Sequence, residues 1–413
     1  KRPFFLQGLD QYDTPNRLIY TRDVVQPDAG AKLTGKIGSM NIAYLGAVDQ
    51  RDSAGGSQPI YNILRLRRDL GASSNLGLVY TDRIDGGDYN RMGGFDARLL
   101  WHKIWFSQIQ VVGSTTRDSL GGRGGALWDI TFGDRTGRAY GNHFELLGVS
   151  PNFVAASGFV NRTGFVRAMA FNRYTIYGAP GALFEQVSLF LSAQPLWNYA
   201  DFGRLGGTFE GGYSASFTAT LRGGWNLSAG ANDNFQRFDS TAYRGYGVLS
   251  GSDTSVFVLP HGLYSLFGEN VGVTSPNRKV ILNASAAYND AVLFAEAGEG
   301  RELTGSIGVA WRPTPLFRFD ASWIYDRLTR ARDGSEFAIT NIPRLQVEYQ
   351  LTRSIFLRYI GQYVAQRQAA LEDPRTGEPL VRRDSAAGTY SALGAFTSNA
   401  FRNDVLLSYK PIP

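Results

Sequence analysis

Residues 213–222 read YSASFTATLR, and residues 225–232, after two glycines, read WNLSAGAN. In both stretches every second residue is apolar, and the residues between are Ser, Thr, Asn, Gly or Arg. A period of two places these sets on opposite faces of a β-strand. In a soluble sandwich the apolar face points to the core, whereas in an outer-membrane barrel it faces lipid. The alternation therefore predicts a strand hairpin and leaves two fold classes open.

The same alternation returns in residues 302–312, 317–326 and 345–351, where the polar face also carries charged residues. Aromatic residues lie toward the ends of these strands, as in the girdle at a membrane interface. The girdle candidates are Trp225, Trp311, Trp323, Tyr325, Tyr349, Tyr359 and Tyr363. The pattern favours an all-β, transmembrane antiparallel β-barrel of about 16 to 18 strands, with a soluble all-β protein as the alternative.

The connections between the predicted strands differ in length. Those at 222–224, 312–315 and 352–354 are short, whereas those at 113–125, 239–277 and 366–394 are long and polar. Short turns at one rim and long loops at the other are typical of outer-membrane barrels. We expect the barrel to occupy residues 31–413, beginning with a strand over 31–49. Residues 1–30 lack clean alternation and are either a plug or a periplasmic linker.

The last residues, Tyr409-Lys410-Pro411-Ile412-Pro413, repeat the pattern of the predicted hairpin turn Trp311-Arg312-Pro313-Thr314-Pro315. By analogy they lead into a further turn and strand. An open sheet edge in lipid would leave backbone groups unpaired. We therefore expect at least one closing strand beyond the chain shown, which makes the strand count a lower bound.

Composition argues against several other classes of protein. No apolar run approaches the ~20 residues of a membrane-spanning helix. The net charge of +6 comes from 42 basic and 36 acidic residues scattered along the chain, whereas nucleic-acid binders concentrate basic charge on one face. The absence of Cys leaves no disulfide and no thiolate metal site.

Several short motifs in the first 170 residues support a family resemblance. They include Lys1-Arg2-Pro3-Phe4-Phe5, Tyr20-Thr21-Arg22, Thr81-Asp82-Arg83 and Pro151-Asn152-Phe153. Together they resemble a bacterial family of unknown function, in which an outer-membrane β-barrel domain follows a carbohydrate-binding family 9-like β-sandwich. The resemblance implies a bacterial outer-membrane location and a periplasmic domain before Lys1. One departure is Gln7, where the family usually has an acidic residue.

Signals for catalysis or metal binding are weak. The pairs Asp10 with Asp13, Asp85 with Asp88, and Asp233 with Asp239 could supply the two carboxylates of a glycosidase, but solvated loop acids are the simpler interpretation. Asp85, Asp88 and Asp233 are also weak candidates for calcium. His102, His143 and His261 lack zinc-ligand spacing, and His143 with Ser150 or Ser157 is the only acyl-hydrolase pair to consider. Enzyme activity is therefore the least favoured class.

Charged residues at polar strand positions form the candidate lumen lining. They are Arg65, Arg67, Arg98, Arg167, Arg222, Arg318 and Arg358, with Asp96, Asp129, Asp320 and Glu348. Mixed charge inside an open barrel selects solutes, which favours a passive pore or a solute- or glycan-binding channel. In the alternative, these charges pair across a closed lumen, and the barrel is a non-conducting scaffold for a periplasmic carbohydrate-binding-like domain or a protein partner.

The predicted partners are outer-membrane lipid and lipopolysaccharide, but no nucleic acid, and no cofactor is required. A TonB-dependent transporter is less favoured. No plug of ~130 residues precedes the strands, and 413 residues are few for the 22 strands of that class.

Overall fold

The computed structural model describes residues 8–51, 57–204, 210–238, 240–260, 262–276, 279–384 and 388–409. Gln7, Asp239, His261 and the turn expected at 410–413 lie outside these ranges. Helical structure in the described residues is short: 3-10 turns at Leu9–Tyr12, Thr21–Asp23 and Ser240–Tyr243, and one α-helical turn at Tyr199–Phe202. None of the described helices is long or apolar enough to span a membrane.

Strands make up most of the described chain. The first ten are β1 (Pro27–Ile37), β2 (Met40–Asp49), β3 (Ile60–Leu70), β4 (Ser74–Asp85), β5 (Asp88–Trp101), β6 (Trp105–Asp118), β7 (Gly121–Thr136), β8 (Tyr140–Val149), β9 (Phe165–Tyr177) and β10 (Phe184–Ala193). The next seven are β11 (Leu196–Asn198), β12 (Gly211–Leu221), β13 (Asn226–Gln236), β14 (Tyr246–Ser250), β15 (Asp253–Val256), β16 (Tyr264–Thr274) and β17 (Val280–Leu293). The last seven are β18 (Gly298–Thr314), β19 (Phe317–Arg330), β20 (Glu336–Gln350), β21 (Ile355–Gln368), β22 (Leu380–Arg383), β23 (Tyr390–Ala392) and β24 (Phe396–Tyr409).

Twenty of these strands belong to one sheet, and β14, β15, β22 and β23 form a separate four-stranded sheet. The pairings are antiparallel between strands that follow each other along the chain, as in β3 with β4 and β18 with β19. At the start of the chain β1 pairs with β2, and near its end β24 pairs with β21. Such a meander of long strands is the arrangement that the alternation predicted.

The sheet has more strands than the 16 to 18 expected as a lower bound, because the stretch 31–49 contains two strands and the expected long loop 239–277 contains β16. The stretch 31–49 is not one strand, since the chain turns at Gly38, whose φ of +60° suits glycine. The stretch 113–125 is not a long loop, since β6 and β7 continue through it and turn at residues 119–120. Its glycines belong to the strand: a Cβ on Gly125 would lie 2.3 Å from the Cα of Phe153.

The chain divides into two compact units. The first unit contains residues 1–172 and 192–209, and strands β2–β8 bury alternate side chains on one face. These buried residues include Ala43, Leu45, Ile63, Val79, Met92, Val112, Leu127, Leu147 and Val149. The opposite face of the same strands exposes Leu78, Tyr80, Phe95, Ile130 and Phe132. The outer face is thus apolar and exposed, whereas the face covered by protein combines apolar residues with buried polar ones such as Arg65, Asp96 and Gln110.

The covered face of the first unit lies under residues 8–26, which we call the inner segment. Near its start Tyr12 donates a hydrogen bond to the carbonyl of Tyr44, 2.8 Å away, and Leu18 packs fully buried among Val79 and Met92. At its end the backbone NH of Val25 donates to Asp49 at 2.7 Å. The inner segment therefore runs along the strands to the rim where β1 begins.

The second unit contains residues 173–191 and 210–413. The two long connections of this unit, between β13 and β16 and between β21 and β24, fold together into the four-stranded sheet, where Val248 pairs with Leu380. A hydrophobic cluster beneath it includes Tyr243, Phe257, Leu293, Phe337 and Leu371. These loops are therefore a packed element with its own core.

Candidate functional site

One face of the second unit is lined by small polar side chains. Across β12, β13, β16, β17 and β18, one row of facing residues reads Thr218, Ser228, Gly272, Ser285 and Ser306. The hydroxyls of Ser285 and Ser306 lie 2.8 Å apart. The neighbouring rows add Ser214, Ser216, Asn232, Asn270, Asn283 and Thr304, none of which is buried. We call this face the polar wall.

The opposite face of the same strands is apolar and exposed. It presents Phe217, Val271, Leu282, Ile307 and Trp311. Ser306 and Ile307 are neighbours on β18, and because side chains alternate along a strand, Ser306 lies on the polar wall and Ile307 on the apolar face. An apolar outer face and a polar inner face are the arrangement of an outer-membrane barrel.

The polar wall continues onto β19, β20 and β21 with charged residues of alternating sign. Arg318 faces Glu348 across the β19–β20 ladder, and Glu348 faces Arg358 across the β20–β21 ladder. Arg318 also donates to Asp320 at 2.5 Å, and Arg358 donates to Asp404 at 3.3 Å. The structure thus brings four of the candidate lining residues together, and adds Asp404 to them.

In the first unit, Arg65 and Asp96 form a buried ion pair. The two Arg65 Nη atoms lie 2.5 and 2.9 Å from the Asp96 carboxylate, and the two side chains are 3% and 4% exposed. They meet across Gly77 of the intervening strand, where a Cβ would come within 2.4 Å of Arg65 Nη1. Glycine at position 77 therefore leaves the space that this pair needs.

Two further candidates of the first unit have other partners. Asp129 accepts a hydrogen bond from Asn16 Nδ2 of the inner segment at 2.8 Å, and Arg167 donates to Glu145 at 3.0 Å. Sequence reasoning missed Asn16 because the inner segment shows no strand pattern. Glu145 could have been found from its polar strand position.

The remaining candidate arginines lie at strand ends. Arg67 Nε is 3.7 Å from Asp69, Arg98 lies 4.4 Å above the Phe106 ring, and Arg222 follows β12 in the turn, where it donates to the carbonyl of Gly181. Their place in a solute path stays a prediction.

Most of the girdle candidates are exposed. Trp225, Trp311, Trp323, Tyr349 and Tyr363 are exposed, whereas Tyr325 and Tyr359 are half-buried. The Trp311 and Tyr349 rings each lie about 6 Å from Phe317 near the short turns. Contact of these rings with a membrane interface stays a prediction.

No group of three His, Asp or Glu side chains converges to hold a metal within the described ranges. Asp85 accepts from Arg83 at 2.9 Å, Asp233 accepts from Ser265 at 2.6 Å, and Asp88 is exposed. His143 contacts the carboxylates of Asp134 and Glu145. The calcium and hydrolase hypotheses therefore gain no geometric support from these contacts and stay predictions.

No protein-family profile and no curated protein matches the sequence. Among solved structures, the siderophore receptor PirA from Acinetobacter baumannii matches at 10% identity over 93% of this chain and 73% of that chain, with a TM-score of 0.50. The fold is that of an outer-membrane β-barrel.

Two other solved structures are less similar in shape. The copper transporter OprC has 12% identity over 91% of this chain and 69% of that chain, with a TM-score of 0.49. OmpT of Vibrio cholerae has 11% identity over 92% of this chain and 100% of that chain, with a TM-score of 0.36. The predicted fold class is confirmed, and proteins of this class lie in the bacterial outer membrane, the location that the sequence predicted.

Proposed function

We propose that this protein is an outer-membrane channel that passes or binds a hydrophilic solute along the polar wall. The observation that carries the proposal is the row of hydroxyl and amide side chains across β12–β18. Each such group would cost about 1–3 kcal/mol if it lost water without gaining a partner. A face built from many of them is suited to water or a polar solute.

The charged part of the polar wall favours a solute that is polar or that carries charges of both signs. Arg318, Glu348 and Arg358 alternate in sign across neighbouring strands. Charged side chains that line a channel select among solutes by their charge. The family resemblance suggests a glycan as the solute, a neutral ligand rich in hydroxyls that such a surface can hydrogen-bond.

A non-conducting scaffold is the second candidate, and the inner segment favours it. This segment covers the buried face of the first unit with side chains such as Tyr12 and Leu18. In the scaffold hypothesis it acts as a permanent plug, and the barrel anchors a periplasmic domain or partner protein. In the channel hypothesis the polar wall of the second unit remains open to solute.

Planar-bilayer conductance of the intact protein tests the channel. We expect steady ohmic steps, and we expect Ser306→Trp to reduce their size because the indole would project from the polar wall. The matched control is Ile307→Trp on the adjacent, outward position, which should leave the steps unchanged. Equal conductance of both variants and the wild type would contradict a solute path along this wall.

Deletion of residues 8–26 separates the two candidates. Steps that appear only after the deletion would show that the inner segment is a plug. An intact protein and a deletion variant that are both silent, although demonstrably inserted in the bilayer, would reject the channel and leave the scaffold.

A further inference from the structure

The outward face of the second unit carries a cluster of arginines beyond its apolar residues. Arg327 follows Trp323 and Tyr325 at intervals of two on β19, and Arg367 follows Tyr363 on β21 by four residues. Because side chains alternate along a strand, each arginine lies on the same face as those aromatic rings. Arg301 shares this face with Leu303 on β18. These three residues form the outer arginine cluster.

The ladder places Arg327 and Arg367 in one row, with Ile339 of β20 between them, and Arg301 lies one outward position from that row on β18. Leu303 faces Arg327, Arg327 faces Ile339, and Ile339 faces Arg367, so one row crosses four strands. Glu336 lies between the two central arginines, 3.6 Å from Arg327 and 2.5 Å from Arg367. The Glu336 carboxylate thus forms ion pairs with the guanidinium groups of both Arg327 and Arg367.

Within the cluster, Arg327 and Arg367 keep an excess of exposed positive charge. Their side chains are 44% and 63% exposed, and both stand against one carboxylate, Glu336. Arg301 is balanced separately, since it faces Asp290 across the β17–β18 ladder and follows Glu299 by two residues on the same face. The group of Arg327, Arg367 and Glu336 has a net charge of +1, and its guanidinium groups carry more N–H donors than the Glu336 carboxylate can accept.

The depth of the cluster matches a lipid headgroup. Ten residues separate Phe317, beside the short turn, from Arg327, which is roughly 33 Å along an extended strand. With the tilt of about 40° usual in membrane barrels, this distance corresponds to a height of about 25 Å, the thickness of the apolar band. Arg327 and Arg367 are near the rim that also carries the two long connections, from β13 to β16 and from β21 to β24, which in this fold is the extracellular rim.

We propose that the outer arginine cluster binds the phosphate of a phosphorylated glycolipid of the outer leaflet. Arginine forms paired, charge-assisted hydrogen bonds to phosphate oxygens, and Trp323 and Tyr363 below it pack against the acyl chains. The inward arginines of the polar wall cannot take part, because they lie on the opposite face of the sheet. The inference rests on the outer-membrane fold and does not depend on conduction.

Native mass spectrometry of the intact, detergent-solubilised protein with bisphosphorylated lipid A tests the site. We expect the double variant Arg327→Gln/Arg367→Gln to bind about 30-fold more weakly, since each basic residue near an anionic lipid surface contributes roughly a fivefold effect. Dephosphorylated lipid A should bind the wild type about as weakly as bisphosphorylated lipid A binds the double variant.

The matched control is Arg312→Gln/Arg353→Gln, which removes the same charge at the short-turn end and should bind like the wild type. Heat-modifiable gel mobility verifies that each variant is a folded barrel. Unchanged binding in the cluster variant, or equal binding of dephosphorylated lipid A, would overturn the proposal. Displacement of lipid A by millimolar inorganic phosphate alone would show a free-anion site and would overturn the lipid assignment as well.

Discussion

At the scale of single residues, the buried pair of Arg65 and Asp96 shows how three strands cooperate. Arg65 is on β3, Asp96 is on β5, and the pair passes over Gly77 of β4. A buried ion pair gains from short hydrogen bonds and loses hydration, so its net contribution is small while the loss of one partner is costly. The exposed pair of Arg358 and Asp404 lacks that penalty.

This contrast gives a stability prediction. Asp96→Ala should lower the free energy of unfolding by about 3–5 kcal/mol because it leaves the Arg65 guanidinium buried and unpaired. The double variant Arg65→Met/Asp96→Leu should recover much of that loss. Asp404→Ala, at an exposed pair, should cost less than about 1 kcal/mol. Urea unfolding of the folded barrels measures all three, and equal losses for Asp96→Ala and Asp404→Ala would contradict the buried-pair account.

At the scale of elements, the inner segment is held by both apolar packing and polar contacts. Leu18 fills the cluster formed by β4–β8, and Asn16 donates to Gln110 and Asp129. Backbone contacts with the connection after β8 add to this, since the Tyr20 NH donates to the Ser157 carbonyl at 2.7 Å. The element is therefore anchored along its length.

The packing of the inner segment should depend on alkaline pH through Tyr12. Burial raises the pKa of Tyr12 from 10.0 to about 12, so the packed segment favours the neutral phenol. The stability that this contributes is fully present below pH 10 and is lost as the pH rises through about 12. Tyrosinate absorbance, as the difference between the wild type and Tyr12→Phe, should titrate near pH 12. A difference that titrates near pH 10 would mean that Tyr12 is not packed in solution.

At the scale of the whole molecule, each long strand serves two environments at once. In the second unit, the polar wall and the apolar outer face come from neighbouring residues, so a one-residue shift in register would exchange them. The first unit differs, because its covered face combines apolar clusters with buried polar residues and packs against the inner segment. The alternating strand pattern therefore serves two purposes: in the first unit the inward face packs against the inner segment, and in the second unit it forms the polar wall.

The assignment of the outer face predicts an asymmetric response to charge. Ile307→Arg, near the middle of β18, should destabilise the lipid-inserted protein by about 2–4 kcal/mol, the cost of a cation at the bilayer midplane. Ser306→Arg, one residue away on the polar wall, should have a much smaller effect because water reaches that face. Folding into lipid vesicles under a urea gradient measures the loss of stability in both variants. A larger loss for Ser306→Arg than for Ile307→Arg would mean that the lipid-facing and water-facing sides are the reverse of those assigned here.

Alternation in the sequence was enough to predict the fold class, the outward apolar faces of the strands and the short turns, because a period of two is a local property of each strand. Residues 302–312 and 317–326 show this, since their alternation agrees with the observed register. The glycine-rich start of β7, residues 121–125, was misread as part of a loop, because Gly125 is required by a close contact with residue 153, which is remote in sequence.

Only the tertiary structure decided which charges meet and what covers each face. The pairing of Arg65 with Asp96, the docking of residues 8–26 and the union of the two long loops into one small sheet all join distant parts of the chain. The physical reason is that these contacts depend on strand register and shape complementarity across the fold. Alternation along a single strand carries no information about either.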